Sequence, residues 1–213
     1  MNKNILFVIL ISLLTLNCCS SELVNLAQSK KVVKEYYESG RFDADLKEVI
    51  DEAKIKFVEV SFDESTAVVF DVDETALFNY ESIYEMDFGY AKTIWAEWIQ
   101  EARAPAIKQV KELYDFLLTK GSRIIFITGR KDYEADATIK NLIEEGYTVF
   151  DTLITRGESE RKLSAVDFKS SKRTELTQRG YTIAGTVGDQ WSDLEGAFHG
   201  IQVKLPNYLY SVD

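Results

Sequence analysis

Cysteine is almost absent from this chain of 213 residues: the only two, Cys18 and Cys19, are adjacent and close to the N-terminus. No disulfide can form within the sequence that follows, so that part must be held together by its core alone. Proline is equally scarce, with two residues, and no stretch rich in proline or glycine marks a linker. Positive charge is in deficit, at 25 Lys and Arg against 35 Asp and Glu, a net charge of −10. Such a chain cannot neutralise a nucleic-acid backbone, which excludes a nucleic-acid polymer as partner. An acidic protein that handles phosphate must concentrate its positive charge locally, in a metal or a few placed basic side chains. Histidine occurs once, as His199, and a lone histidine reads as structural.

Long apolar runs are also missing, except for Ile5 to Leu16, which follows the short positive start Met1-Asn2-Lys3-Asn4. That run is too short to span a bilayer comfortably and has the length of an export signal. Residues 1–21 are therefore expected to be a signal, with 22–213 a single domain. The cysteine directly after the run resembles the lipobox of bacterial lipoproteins, which points to lipidation of Cys18. Cys19 is the alternative, because Asn17 and Leu16 depart from the usual small residues. The resemblance implies an exported, membrane-anchored lipoprotein.

What the chain does contain is a 46% hydrophobic content, enough for a real core, and an alternation of apolar runs. Residues 22–65 read as a helical extension of two amphipathic helices. Leu23, Leu26, Val33 and Tyr37 recur at helical spacing in the first, and Phe42, Leu46, Ile50, Ala53 and Phe57 in the second. A strand is expected at 66–73, an aromatic cap-like segment at 76–104, and a helix opened by Pro105 and closed by Gly121. Strands then follow at 123–128, 149–154, 181–187 and 200–204, with helices at 134–145 and 170–178. Alternating strands and helices imply an α/β fold with a doubly wound, mainly parallel sheet.

Ala67-Val68-Val69-Phe70-Asp71-Val72-Asp73-Glu74-Thr75 ends the first strand with two carboxylates. Period-2 geometry puts Asp71 and Asp73 on one side, where their repulsion needs a cation or a proton to compensate it. Other strand ends supply Thr128, Gly129 and Arg130, then Asp189 and Asp193. Lys169 or Lys172 precedes the helix at 170–178. Strand ends in a parallel sheet share one edge, so these groups can converge. Three carboxylates near a lysine and a threonine suit phosphoryl chemistry on Mg²⁺, a hard cation that takes oxygen ligands.

Here the chain resembles the haloacid dehalogenase superfamily. Asp71-Val72-Asp73-Glu74-Thr75 looks like its first motif and Ile127-Thr128-Gly129-Arg130 its second. Lys169 looks like the third, and Gly188-Asp189-Gln190-Trp191-Ser192-Asp193-Leu194 the fourth. Glu97-Trp98, Ala104-Pro105-Ala106, Asn141-Leu142, Gly180-Tyr181 and Lys204-Leu205-Pro206-Asn207 narrow the resemblance. They read as the acid phosphatase branch, which holds bacterial outer-membrane lipoprotein phosphatases and plant acid phosphatases with their vegetative storage relatives.

The resemblance implies a Mg²⁺-dependent acid phosphatase acting on small phosphomonoesters, with nucleoside 5′-monophosphates as a candidate class. Asp71 would be the nucleophile and Asp73 the acid and base, which implies a mildly acidic optimum. Mg²⁺ would be held by Asp71, the Asp73 carbonyl, Asp189 and Asp193; Thr128, Gly129 and Lys169 would bind the phosphoryl group. Phosphatases built on histidine or cysteine are excluded by composition. A phosphotransferase on the same site and a non-catalytic storage protein stay open at this level. Arg130, Arg156 and Arg173 read as surface or ion-pair residues. Tyr80, Tyr84, Trp95 and Trp98 read either as core or as a platform for a nucleobase.

Overall fold

The computed structural model describes residues 23–212; the expected signal and both cysteines lie outside them. Five strands form one sheet: β1 (Thr66–Phe70), β2 (Arg123–Lys131), β3 (Thr152–Arg156), β4 (Thr182–Gly188) and β5 (Ile201–Lys204). Every neighbouring pair is parallel, and the order is β3-β2-β1-β4-β5. The chain starts in the middle, builds outward through β2 and β3, then returns to lay β4 and β5 on the other side. That reversal opens a crevice at the carboxyl ends of β1 and β4, where open α/β sheets bind ligands. The fold is the doubly wound parallel α/β arrangement expected from the sequence.

Alternation along β1 assigns its two faces. Val68 and Phe70 pack into a large core with the helices α2 (Arg41–Val58) and α5 (Lys108–Thr119). Ala67 and Val69 face the other way, where Ile125 and Ile127 of β2 join Phe168 and Leu176 of α7 (Ala165–Gln178). All five β1 residues are buried, as a central parallel strand requires. Helix α2 buries the stripe read from its spacing, Phe42, Leu46, Ile50, Ala53 and Phe57. Full burial of each large member is worth about 1.5–3 kcal/mol.

Several boundaries differ from the sequence expectation, each for a local reason. At the helix α1 (Leu26–Glu38) the N-terminal half of the expected stripe, Leu23 and Leu26, is exposed, and only the C-terminal half packs on the core, through Tyr37. Buried Tyr36 joins it there, and the two rings contact Phe42, Phe78, Tyr80 and Tyr208. Strand β1 stops at Phe70, because the chain turns when the Thr75 and Leu77 N–H groups both bond the Val72 carbonyl. Pro105 lies before α5 in an extended segment whose carbonyl accepts from the Phe78 N–H at 2.8 Å. Val149 stays out of β3 because the Tyr114 hydroxyl bonds both its N–H and its carbonyl, at 2.8 and 3.0 Å. The Ser164 hydroxyl caps α7 by accepting from the Asp167 N–H at 3.0 Å. The helix therefore begins at Ala165, and Lys169 projects from its second turn rather than from a loop.

The 76–104 segment carries two helices, α3 (Tyr80–Glu85) and α4 (Lys92–Glu101). The remaining helices are α6 (Ala135–Glu144) and the single-turn α8 (Trp191–Leu194). No described helix is long and apolar enough to cross a membrane.

Gly185 shows how closely α2 approaches the sheet. A Cβ there would lie 2.5 Å from Phe57 Cζ and 2.9 Å from the Ile201 carbonyl oxygen. Gly185→Ala is expected to lower stability by about 1–3 kcal/mol through overpacking. Urea unfolding measures it, and an unchanged midpoint would mean that the Phe57 ring moves aside freely.

Candidate active site

Asp71 is the first residue beyond β1, and its N–H bonds the Val187 carbonyl at 3.0 Å, which splices it to β4. Asp189 is the first residue beyond β4. These two strand ends flank the crevice, so the topology itself brings the carboxylates together. Asp193 joins them from α8. Its approach requires Gly188, where a Cβ would sit 2.4 Å from the Asp193 Cβ. One oxygen from each of Asp71, Asp189 and Asp193 lies within 4.8 Å of the others, and all three residues are buried.

Lys169 answers this cluster. Its Nζ lies 2.5 Å from Asp71 Oδ1 and also donates to Asp193 Oδ1. The second Asp193 oxygen accepts from the Gln190 N–H at 2.9 Å. Asp189 accepts from the Thr75 hydroxyl at 3.2 Å and from the Gln190 and Asn207 amides, each at 2.6 Å. Lys172, the alternative to Lys169, is outside this cluster and pairs with Glu160 at 2.5 Å.

One ammonium thus pairs with two of three buried carboxylates, and Asp189 has only neutral donors. Burial, opposed by Lys169 and reinforced by Asp193, Asp189 and Asp73, pushes Asp71 well above the usual carboxylate range. Burial, then the charges of Asp193 and Glu74, pushes Asp189 up to about 7. Burial alone would lower Lys169, but Asp193 and Asp71 more than offset it and raise it. Uncompensated negative charge on an all-oxygen donor set is what a hard divalent cation neutralises, so the residues fit a metal of the Mg²⁺ type.

Asp73 stands across the cavity on the turn after β1. Arg130 holds it through Nη2 at 2.7 Å and Nε at 3.1 and 3.2 Å, and the Asn79 amide donates to it at 3.0 Å. Arg130 is buried and anchored to the Thr138 hydroxyl at 3.1 Å; the Trp98 indole N–H fixes Asn79 at 2.8 Å. Trp98 is thus a core residue and not a stacking platform. Glu74 follows in the left-handed region, at φ 53°, strained for a residue with a side chain. Its carboxylate accepts from the Asn79 N–H at 2.8 Å and from the Tyr210 hydroxyl. Burial, then Asp73, pushes Glu74 up to about 7.

A cavity of about 240 Å³ opens onto Asp71, Asp73, Gly129, Lys169, Asp189 and Asp193. Gly129 lines it, and the space where its Cβ would stand is empty to 4 Å. Thr128 is buried, and its hydroxyl accepts from the Arg130 N–H at 3.2 Å; Gly129 forms the wall there. Arg156 reaches the cavity edge while donating to the Glu160 and Leu163 carbonyls. Arg173 is fully buried and gives its N–H groups to the carbonyls of Asp193, Glu195 and Ala197, which holds the segment around α8 in place. His199 bonds the Gly200 carbonyl at 2.8 Å, away from the cavity. An adjoining apolar cavity of about 530 Å³ is lined by Ile83, Met86, Phe88, Trp95 and Tyr210. Tyr80 and Tyr84 do not face it; they stack with the docking cluster of α1.

A family model for the acid phosphatases of haloacid dehalogenase subfamily IIIB matches residues 13–213. The chain belongs to this family. It is 32% identical to "Acid phosphatase 1" of Solanum lycopersicum over 188 residues, 84% of this chain and 73% of that one. Identity is also 32% to "Vegetative storage protein 1" of Arabidopsis thaliana, covering 87% of this chain and 71% of that one. The fold is shared with the class C acid phosphatase of Bacillus anthracis, solved with tungstate bound. The TM-score is 0.71 at 23% identity, over 88% of this chain and 87% of that one. This acid phosphatase is thus a phosphomonoesterase, and its phosphorylated substrate is small.

The residues that sequence reasoning missed are the supports. Arg130 reads as an ordinary ion-pair residue until Asp73 is seen beneath it. Asn79 and Tyr210 carry no motif, and Asn207 stands in Lys204-Leu205-Pro206-Asn207 with no role attached.

Metal-stripped acid phosphatase should lose stability as pH rises. Asp189 and Glu74 keep protons up to about 7 in the folded state but release them near 3.8 and 4.5 when unfolded. The native form thus binds more protons between those limits, and stability is lost as pH rises through them. The melting temperature after chelation is expected to be higher at pH 5.5 than at pH 8, and added Mg²⁺ should raise it more at pH 8. A stripped protein more stable at pH 8 would contradict this reading of the cluster.

Proposed function

We propose that this acid phosphatase hydrolyses small phosphomonoesters by passing the phosphoryl group first to Asp71 and then to water, with Mg²⁺ as cofactor. The observation that carries this reading is Asp71 itself. Its carboxylate sits at the switch point of the sheet, 2.5 Å from the Lys169 ammonium, on a cavity that it shares with Asp73.

In the first step an Asp71 oxygen attacks phosphorus and the bond to the ester oxygen breaks, its electron pair leaving with that oxygen. Asp73 gives the leaving oxygen a proton. In the second step Asp73 takes a proton from water, which attacks phosphorus and returns Asp71 as a carboxylate with release of phosphate. Arg130 and Asn79 orient Asp73 for both transfers. Lys169 stabilises the charge that gathers on the phosphoryl oxygens, and the open Gly129 wall leaves room for them. Asp71, Asp189 and Asp193, with the Asp73 carbonyl, would hold the cation, which supplies further neutralisation of that charge.

The apolar cavity beside Asp73 supports a leaving group with a flat apolar part, as in nucleoside 5′-monophosphates. The storage reading suggested by names among the relatives would dispense with a nucleophile, yet here Asp71, Asp73 and Lys169 stand together. Residues 1–21 are proposed as the export signal with Cys18 as lipid acceptor, and 22–213 as one phosphatase domain. Labelled fatty acid entering wild type but not Cys18→Ala in a bacterial host is the expected result; label persisting in the variant would transfer the anchor to Cys19.

Turnover of a general phosphomonoester tests the mechanism. Asp71→Asn is expected to lower kcat by at least about 10⁴-fold and Lys169→Met by about 10²–10³-fold. Chelation should abolish activity and Mg²⁺ restore it. An unaffected Asp71→Asn variant, or full activity without metal, would overturn it.

A further inference from the structure

A second polar cavity, about 520 Å³, adjoins the apolar one, with which it shares Asp73, Tyr90 and Trp95, and shares Asp73 and Gly129 with the catalytic cavity. It is lined by four cationic side chains, Lys92, Arg130, Lys131 and Arg161, and by three acidic ones, Asp73, Glu134 and Glu158. The acids are already engaged. Arg130 covers Asp73 at 2.7 Å, Arg161 covers Glu158 at 3.2 Å, and the Lys131 N–H bonds Glu134 at 2.6 Å. The ammonium groups of Lys92 and Lys131 pair with no carboxylate among the described residues. In a chain with ten more acids than bases, two such ammonium groups around one cavity need a reason.

Lys131 gives the position. It is half-buried and its Nζ lies 3.3 Å from the carbonyl of Gly129, the residue that walls the catalytic cavity. Burial, then the charge of Arg156, pushes it below the ordinary lysine value; Arg161 adds to this, and Glu134 and Glu158 oppose it without cancelling it. An anion placed there would reverse that shift.

We infer that the preferred substrates carry a second anionic group, a phosphate or carboxylate on the leaving-group side, which Lys92 and Lys131 bind. The inference rests on the proposed phosphatase mechanism, and it favours leaving groups with a second anion over nucleoside 5′-monophosphates, whose leaving nucleoside is neutral. With the reacting phosphoryl group at Asp71 and Lys169, the leaving group runs past Asp73, and this cavity takes its charged end. Tyr90, Trp95 and Tyr133 also line this cavity.

Three probes test this: n-butyl phosphate, 4-(phosphooxy)butanoate and 1,4-butanediol bisphosphate. At low salt, kcat/KM per reactive end is expected to be roughly tenfold higher for the two probes with a second anionic group than for butyl phosphate. Physiological salt should shrink the preference. In a Lys92→Gln, Lys131→Gln variant it should fall to within about twofold, with butyl phosphate turnover unchanged. A preference for the bisphosphate alone would identify phosphate as the second group, and an equal one would admit carboxylates. Calorimetric binding of the same probes to Asp71→Asn protein separates this inference from the mechanism. Tighter binding, needing both lysines, of the two probes with a second anionic group supports the subsite even if turnover fails. Equal binding of all three, or a preference that survives the double substitution, overturns it.

Discussion

One ammonium among three buried carboxylates is the constraint on which the rest of the molecule depends. Lys169 balances Asp71 and Asp193 directly, and Asp189 is left to hydrogen-bond donors. Buried carboxylates that close together are stable only with added positive charge or added protons. The protein thus keeps an excess of negative charge at its centre, which a bound cation would neutralise. The surrounding fold holds that charge in place. Gly188 lets Asp193 approach, Arg173 binds the carbonyls around α8, and Thr75 and Asn207 orient Asp189.

Asp73 is handled differently. Its carboxylate lies over a buried guanidinium and an asparagine that is itself locked by an indole, so its place is fixed by directional bonds. The two aspartates of the first motif are two residues apart yet obey different physics: one is defined by shared charge, the other by geometry. That division suits a pair in which one member attacks while the other moves a proton.

Much of this was legible in the sequence, because it follows from periodicity and topology. The stripe from Phe42 to Phe57, the buried run of β1 and the alternation of strands and helices give the parallel sheet. The sheet in turn puts the residues after β1 and β4 at one edge. What stayed hidden depends on long-range contacts between side chains of unremarkable type. Arg130 on Asp73, Trp98 beneath Asn79 and Tyr210 on Glu74 span 57, 19 and 136 residues, and no spacing rule links such positions. The apolar spacing of α1 predicted the helix, but only its C-terminal half is covered: Tyr37 packs on the core, whereas Leu23 and Leu26 are exposed.

The segment after β5 draws several of these threads together. Asn207 reaches Asp189, Tyr210 reaches Glu74, and the Tyr208 N–H bonds the Tyr37 hydroxyl of α1 at 3.0 Å. The cluster around Asp71 is therefore assembled from both extremes of the described chain. A polypeptide made from its N-terminus carries its first aspartates long before these supports exist. A chain that stops short of Asn207 therefore lacks the Asn207 bond to Asp189 and the Tyr210 bond to Glu74, and has no finished site with which to act.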